Sequence, residues 1–73
     1  MDPLPHRPDA GGGVMQTELG EVIIESIRNG TYLKVTAVHV ATGTEATAVG
    51  PALEPRAVER LAVAKLRRLL VAS

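Results

Sequence analysis

The sequence predicts an α+β domain: a three-stranded antiparallel meander followed by one C-terminal helix, β-β-β-α, over residues 18–73. Three observations carry that expectation. Two β-branched runs, "EVIIESIR" and "TYLKVTAVHV", flank the pair Asn29-Gly30, and "ATGTE" separates the second run from a third. Beyond Pro55 the chain has the residue types and spacing of an amphipathic helix. At 73 residues this is one small domain, in the range where only about 60% of the unfolded surface is buried and a second chain or a staple is expected to help.

Residues 1–17 hold Pro3, Pro5, Pro8 and the run Gly11 to Gly13. Such a segment buries too little apolar surface to offset its ordering entropy, so it is expected to be a disordered tail. His6 and Asp9 lie in it, but a lone imidazole lacks the convergent ligands of a metal site.

Strands are expected over Glu21–Arg28 and Thr31–Val40 from their β-branched content. Asn29-Gly30 between them is a strong hairpin signal, because a type I′ turn needs positive φ at both central residues. A two-residue loop there sets Arg28 opposite Thr31, Ile27 opposite Tyr32, Glu25 opposite Lys34 and Ile24 opposite Val35. The Glu25 and Lys34 opposition is a favourable cross-strand pair. A three-residue loop over Ala41 to Gly43, with Gly43 left-handed, would bring Glu45–Val49 beside the second strand and set His39 opposite Glu45 and Val35 opposite Val49.

The prolines of "GPALEP" end the sheet, and Pro55 suits the first turn of a helix. "RAVERLAVAKLRRLLVAS" then places Val58, Leu61, Ala62, Leu66 and Leu69 on one stripe. Arg67 and Arg68 are expected to complement the negative end of the helix dipole.

The absence of cysteine excludes disulfides and thiolate zinc sites. With one Tyr and neither Phe nor Trp, the core must be Val, Ile, Leu and Ala. Formal net charge is zero, which removes a global electrostatic case for nucleic acid or an acidic membrane. No apolar run approaches the roughly 20 residues of a membrane span, and the first residues have neither a basic start nor an apolar core segment. A soluble, cytoplasmic protein with no cofactor is expected.

With these registers one sheet face collects Val22, Ile24, Leu33, Val35, Ala37 and Val49. The other collects Ile23, Ile27, Tyr32, Val38, Val40, Ala46 and Ala48, interrupted by Glu25, Lys34 and Thr36. One helix covers one face, and a solvated second face should read as polar alternation. That alternation is missing. The expected remedy is a homodimer, with Ile23, Ile27, Tyr32, Val38 and Val40 as the candidate interface.

Signals for catalysis are thin. His39 and Glu45 would form an imidazole and carboxylate couple across two strands, and a surface cross-strand pair is the plainer account. Lys65 sits close to the apolar stripe, where a buried lysine can act as a nucleophile; snorkelling explains it more simply. "GTEATAVG" has neither the glycine spacing nor the lysine of a phosphate loop. The helix is basic through Arg56, Arg60, Lys65, Arg67 and Arg68, a surface that suits phosphates or the acidic edge of another protein.

Read whole, residues 32–70, with Thr42-Gly43-Thr44-Glu45, Gly50-Pro51 and Pro55-Arg56 as their most specific elements, resemble a family of short uncharacterised alphaproteobacterial proteins, a domain of unknown function. The resemblance implies a bacterial cytoplasmic protein and carries no catalytic residue. The leading expectation is therefore a small non-enzymatic interaction or adaptor module that associates with itself or with another protein. A nucleic-acid-associated protein using Arg56, Arg60, Arg67 and Arg68 is the first rival, and a small enzyme using His39, Glu45 or Lys65 the second.

Overall fold

Period-two alternation in residues 20–51 and helical spacing after Pro55 build a sheet with one helix across it. The computed structural model describes residues 10–72. Its elements are β1 (Ala10–Thr17), β2 (Gly20–Asn29), β3 (Tyr32–His39), β4 (Glu45–Pro51) and α1 (Pro55–Ala72). The strands lie in the order β1-β2-β3-β4, every neighbouring pair antiparallel.

The sheet thus has four strands, not the expected three. β1 occupies residues assigned above to the tail. Composition averaged over residues 1–17 hid "VMQT", which pairs Val14 with Ile23, Met15 with Val22 and Thr17 with Gly20. The β1–β2 turn is fixed by Thr17, whose hydroxyl accepts the Leu19 N–H (3.0 Å) and donates to the Gly20 carbonyl (3.0 Å). Once that hairpin closes, the ladder carries the glycines, which are poor strand formers alone, against Ile24, Glu25 and Ser26. Residues 1–9, with His6 and Asp9, lie outside the described residues.

The hairpin at Asn29-Gly30 forms with a displaced register. Asn29 pairs with Tyr32, Ile27 with Lys34, Glu25 with Thr36 and Ile24 with Ala37, so Glu25 does not face Lys34. The two loop residues are Gly30 and Thr31, and only Gly30 has positive φ (64°). Glycine at the first central position is the requirement of a type II′ turn, so the asparagine joins the strand. The displacement is even, and each side chain keeps its expected face.

At the next turn the difference is odd. Gly43, at φ 75°, donates its N–H to the His39 carbonyl (2.7 Å), and the His39 N–H donates to the Thr44 carbonyl (2.8 Å). The loop therefore runs from Val40 to Gly43, one residue longer than expected. Val35 now pairs with Ala48, Ala37 with Ala46 and Val38 with Glu45. A slip of one residue turns a strand over: Ala46 and Ala48 face inward, and Val49 faces solvent at 60% exposure.

Pro55 begins α1, and the first helical bond runs from the Val58 N–H to the Glu54 carbonyl (3.2 Å). The buried stripe is Val58, Ala62, Val63 and Leu66, with Leu70 at its margin, while Leu61 and Leu69 are exposed. Relative to expectation the helix is rotated toward Val63. On that side Met15 of the added strand packs against the core and lines the same groove as Val63. Arg67 and Arg68 precede the last turn, which holds no basic residue.

The core joins Val22, Ile24, Leu33, Val35, Ala37, Ala46 and Ala48 of the sheet to those helical residues. Fully burying a side chain such as Leu66 or Val22 contributes about 1.5–3 kcal/mol. The helix crosses β3 and β4, the strands that carry the alanines. Gly50 marks the closest approach, for a Cβ there would lie 2.8 Å from Val58 Cγ2.

Candidate functional site

The structure separates the two residues that a catalytic reading had coupled. Because Glu45 pairs with Val38, its side chain lies on the outer face, whereas His39 is turned inward and buried. The His39 ring is held by the turns at either end: Nε2 lies 2.7 Å from the Leu19 carbonyl and Nδ1 2.8 Å from Thr42 Oγ1. A carbonyl only accepts, so Nε2 carries the hydrogen and donates. Thr42 in turn accepts the Thr44 N–H (3.3 Å) and meets the Thr44 hydroxyl (2.9 Å). His39 is thus a clasp that ties the β1–β2 turn to the β3–β4 loop. Sequence reasoning gave it the wrong neighbour because the loop length sets the face of Glu45.

Lys65 is exposed, and its Nζ donates to the Thr47 carbonyl at 2.8 Å. It is neither buried nor inserted in the stripe. Its ammonium instead occupies a backbone acceptor of edge strand β4, a charged cap of the kind that discourages pairing with another strand.

Among the described residues, two surfaces remain uncovered. The first is the outer face of the sheet, whose side chains form cross-strand rows: Ile27, Lys34 and Val49; Glu25, Thr36 and Thr47; then Val14, Ile23, Val38 and Glu45. Thr36 and Thr47 share a hydrogen bond across the middle row (3.2 Å). Ile27 is 54% exposed and Tyr32 62%, with Ile23 and Val40 also exposed and Val38 half-buried. Ile23, Ile27, Tyr32 and Val38 therefore lie on the face opposite α1, and Val40 stands exposed in the loop just beyond β3. Val14 and Val49 extend it, and sequence reasoning missed both, one hidden in the tail and the other placed on the inner face.

The second surface is a groove of about 670 Å³ between β1 and the flank of α1, lined by Met15, Val63, Ala64, Glu59, Arg56, Arg60 and Arg67. It gathers three of the four arginines singled out on the helix; Arg68 does not line it. Arg67 forms an ion pair with Glu18 of the β1–β2 turn. The periodicity of the helix places Arg56, Arg60 and Arg67 together, but only β1 makes the opposite wall.

Among the described residues, no group of His, Asp or Glu side chains has the arrangement of a metal site, and no helix is long and apolar enough to cross a membrane. Sheet, helix and the two bare surfaces define a small α+β module whose chemistry is offered on its exterior. Residues 19–73 match the family described as Domain of unknown function (DUF6898), and the chain belongs to it. The matched segment begins after β1. Comparison with curated proteins and with solved structures finds no match.

Proposed function

We propose that the protein is a non-enzymatic interaction module that self-associates through the outer face of its sheet. The observation that supports this most is the bare apolar surface of Val14, Ile23, Ile27, Tyr32, Val40 and Val49. Strand spacings of about 4.8 Å and a rise of about 3.3 Å per residue give a face of about 500 Å² per protomer, hence about 1,000 Å² for a pair. That is near the lower bound of about 1,000 Å² for a specific interface.

The pattern of the rows favours a particular arrangement. A two-fold axis parallel to the strands, passing between β2 and β3, lays β2 of one protomer on β3 of its partner. Ile23 then meets Val38, Ile27 meets the stem of Lys34, and Glu25 meets Thr36 with the Lys34 ammonium one row away. No like charges are opposed, and the contact is isologous, as a closed dimer requires. Aligned sheets pack in this way in β-sandwiches.

Sedimentation equilibrium from micromolar to millimolar protein tests the reading. The wild-type chain should pass from monomer to dimer, and Ile27→Asp should remain monomeric with unchanged circular dichroism. Glu25→Lys should weaken the dimer and Glu25→Lys with Lys34→Glu should restore it. A wild-type chain that stays monomeric at millimolar concentration overturns the proposal.

The nucleic-acid reading has less support. Arg56, Arg60 and Arg67 share a groove, yet Tyr32, the only aromatic residue, lies on the opposite face, where it offers no stacking platform to a strand in that groove.

A further inference from the structure

The two edges of the sheet are treated differently. At β4 the helix lies across the strand, Lys65 occupies the Thr47 carbonyl, and Pro51 ends the ladder without a donor. At β1 half of the backbone N–H and C=O groups turn away from β2. Among the described residues, the one side chain from another element that hydrogen-bonds to the backbone of β1 is Ser26, on the Gly11 carbonyl (3.5 Å). An edge strand without a guard is a template for pairing.

Beside that edge lies the groove. By register Gly11 and Gly13 share the inner side with Met15, opposite Ser26 and Ile24. A Cβ at Gly13 would meet nothing within 4 Å, so packing does not demand glycine there. What the missing side chains do is keep the groove open: a recess of about 220 Å³ over Gly12, Gly13, Ile24 and Ser26 adjoins the larger one, sharing Met15 and Glu59. Charge in the groove is unbalanced. Arg67 is paired with Glu18, but among the described residues Arg56 and Arg60 have no carboxylate within ion-pair distance, and Glu59 is the single acid in the lining.

We infer that β1 and this groove take up an extended acidic peptide as a fifth strand of the sheet. The peptide backbone pairs with the free edge of β1. Alternate side chains fall over the groove, because successive side chains on a strand point to opposite faces. Carboxylates among them reach the Arg56 and Arg60 guanidinium groups, which bind carboxylate through paired N–H donors, and apolar ones settle on Met15, Val63 and Ala64. Main-chain pairing supplies affinity and the groove supplies selectivity, the division of labour in other strand-addition sites. A nucleic acid would satisfy the arginines but leave the strand edge unpaired. The surface is separate from the outer face, so neither association depends on the other.

The test uses the full chain and a capped peptide of alternating glutamate and valine, titrated by fluorescence anisotropy with amide exchange read by NMR. Saturable binding is expected, with slowed exchange at β1 amides. Arg60→Glu should weaken it about tenfold or more, the range set by one charge-assisted hydrogen bond. Gly13→Leu, whose Cβ meets no atom within 4 Å, should weaken binding without lowering the thermal melt, and Glu59→Gln should strengthen it. Equal affinity for a lysine and valine peptide, no effect of Arg60→Glu, or no binding at millimolar peptide overturns the inference. So does an oligonucleotide that binds the groove with steep salt dependence while the acidic peptide does not.

Discussion

The two faces of the sheet are both apolar, but they differ in the size of what they carry. The difference lies in β4: under the helix it presents Ala46 and Ala48, with Gly50 at the closest point, beside the larger Leu33 and Val35 of β3. On the far face β4 presents Thr47 and Val49, beside Tyr32 and Val38 of β3 and Ile23 and Ile27 of β2. Small residues let a helix sit close to the sheet backbone, and the larger ones stand where none of the described residues covers them. Hydrophobicity alone therefore does not tell the two sides apart. On β4 side-chain volume does, because close packing has to be matched on the inside and is left free on the outside.

That contrast can be broken most severely from within. Leu66 is fully buried between helix and sheet, so Leu66→Ala should lower the free energy of unfolding in urea by about 2–5 kcal/mol. A smaller loss would mean that the helix resettles into the cavity. Gly50→Ala sharpens the comparison, since the new methyl would meet Val58 at 2.8 Å; such overpacking costs about 1–3 kcal/mol in the same denaturation. At the bottom of the scale, Val49→Thr on the outer face should change monomer stability by no more than about 0.5 kcal/mol at low micromolar protein. A loss as large as that at Gly50 would show Val49 to be part of the monomer's core.

Much of this architecture is legible in the residues, and the failures have specific causes. Asn29-Gly30 marked a hairpin and Pro55 marked the helix start, because both act through backbone geometry that few residues can supply. The β2 and β3 faces survived an error in register because the slip was even. β4 was turned over because a single loop residue between His39 and Thr44 decides its face, and Thr42 gives no outward sign of the longer loop it stabilises. β1 was lost to its glycines, and with it one wall of the groove. Of the candidate surfaces, the outer face was readable from alternation within two strands. The groove was not, because it exists only where a segment that looked unstructured meets a helix far along the chain.

The clasp at His39 and the strictly sequential strand order have a kinetic implication. Each strand pairs with the one synthesised just before it, so neighbouring hairpins close over short chain separations, a topology that favours rapid folding. Until α1 is made, however, Val22, Ile24, Leu33 and Val35 have no cover. The nascent sheet is then apolar on both sides, and α1, which follows all four strands in the order of synthesis, converts a sticky intermediate into a folded molecule.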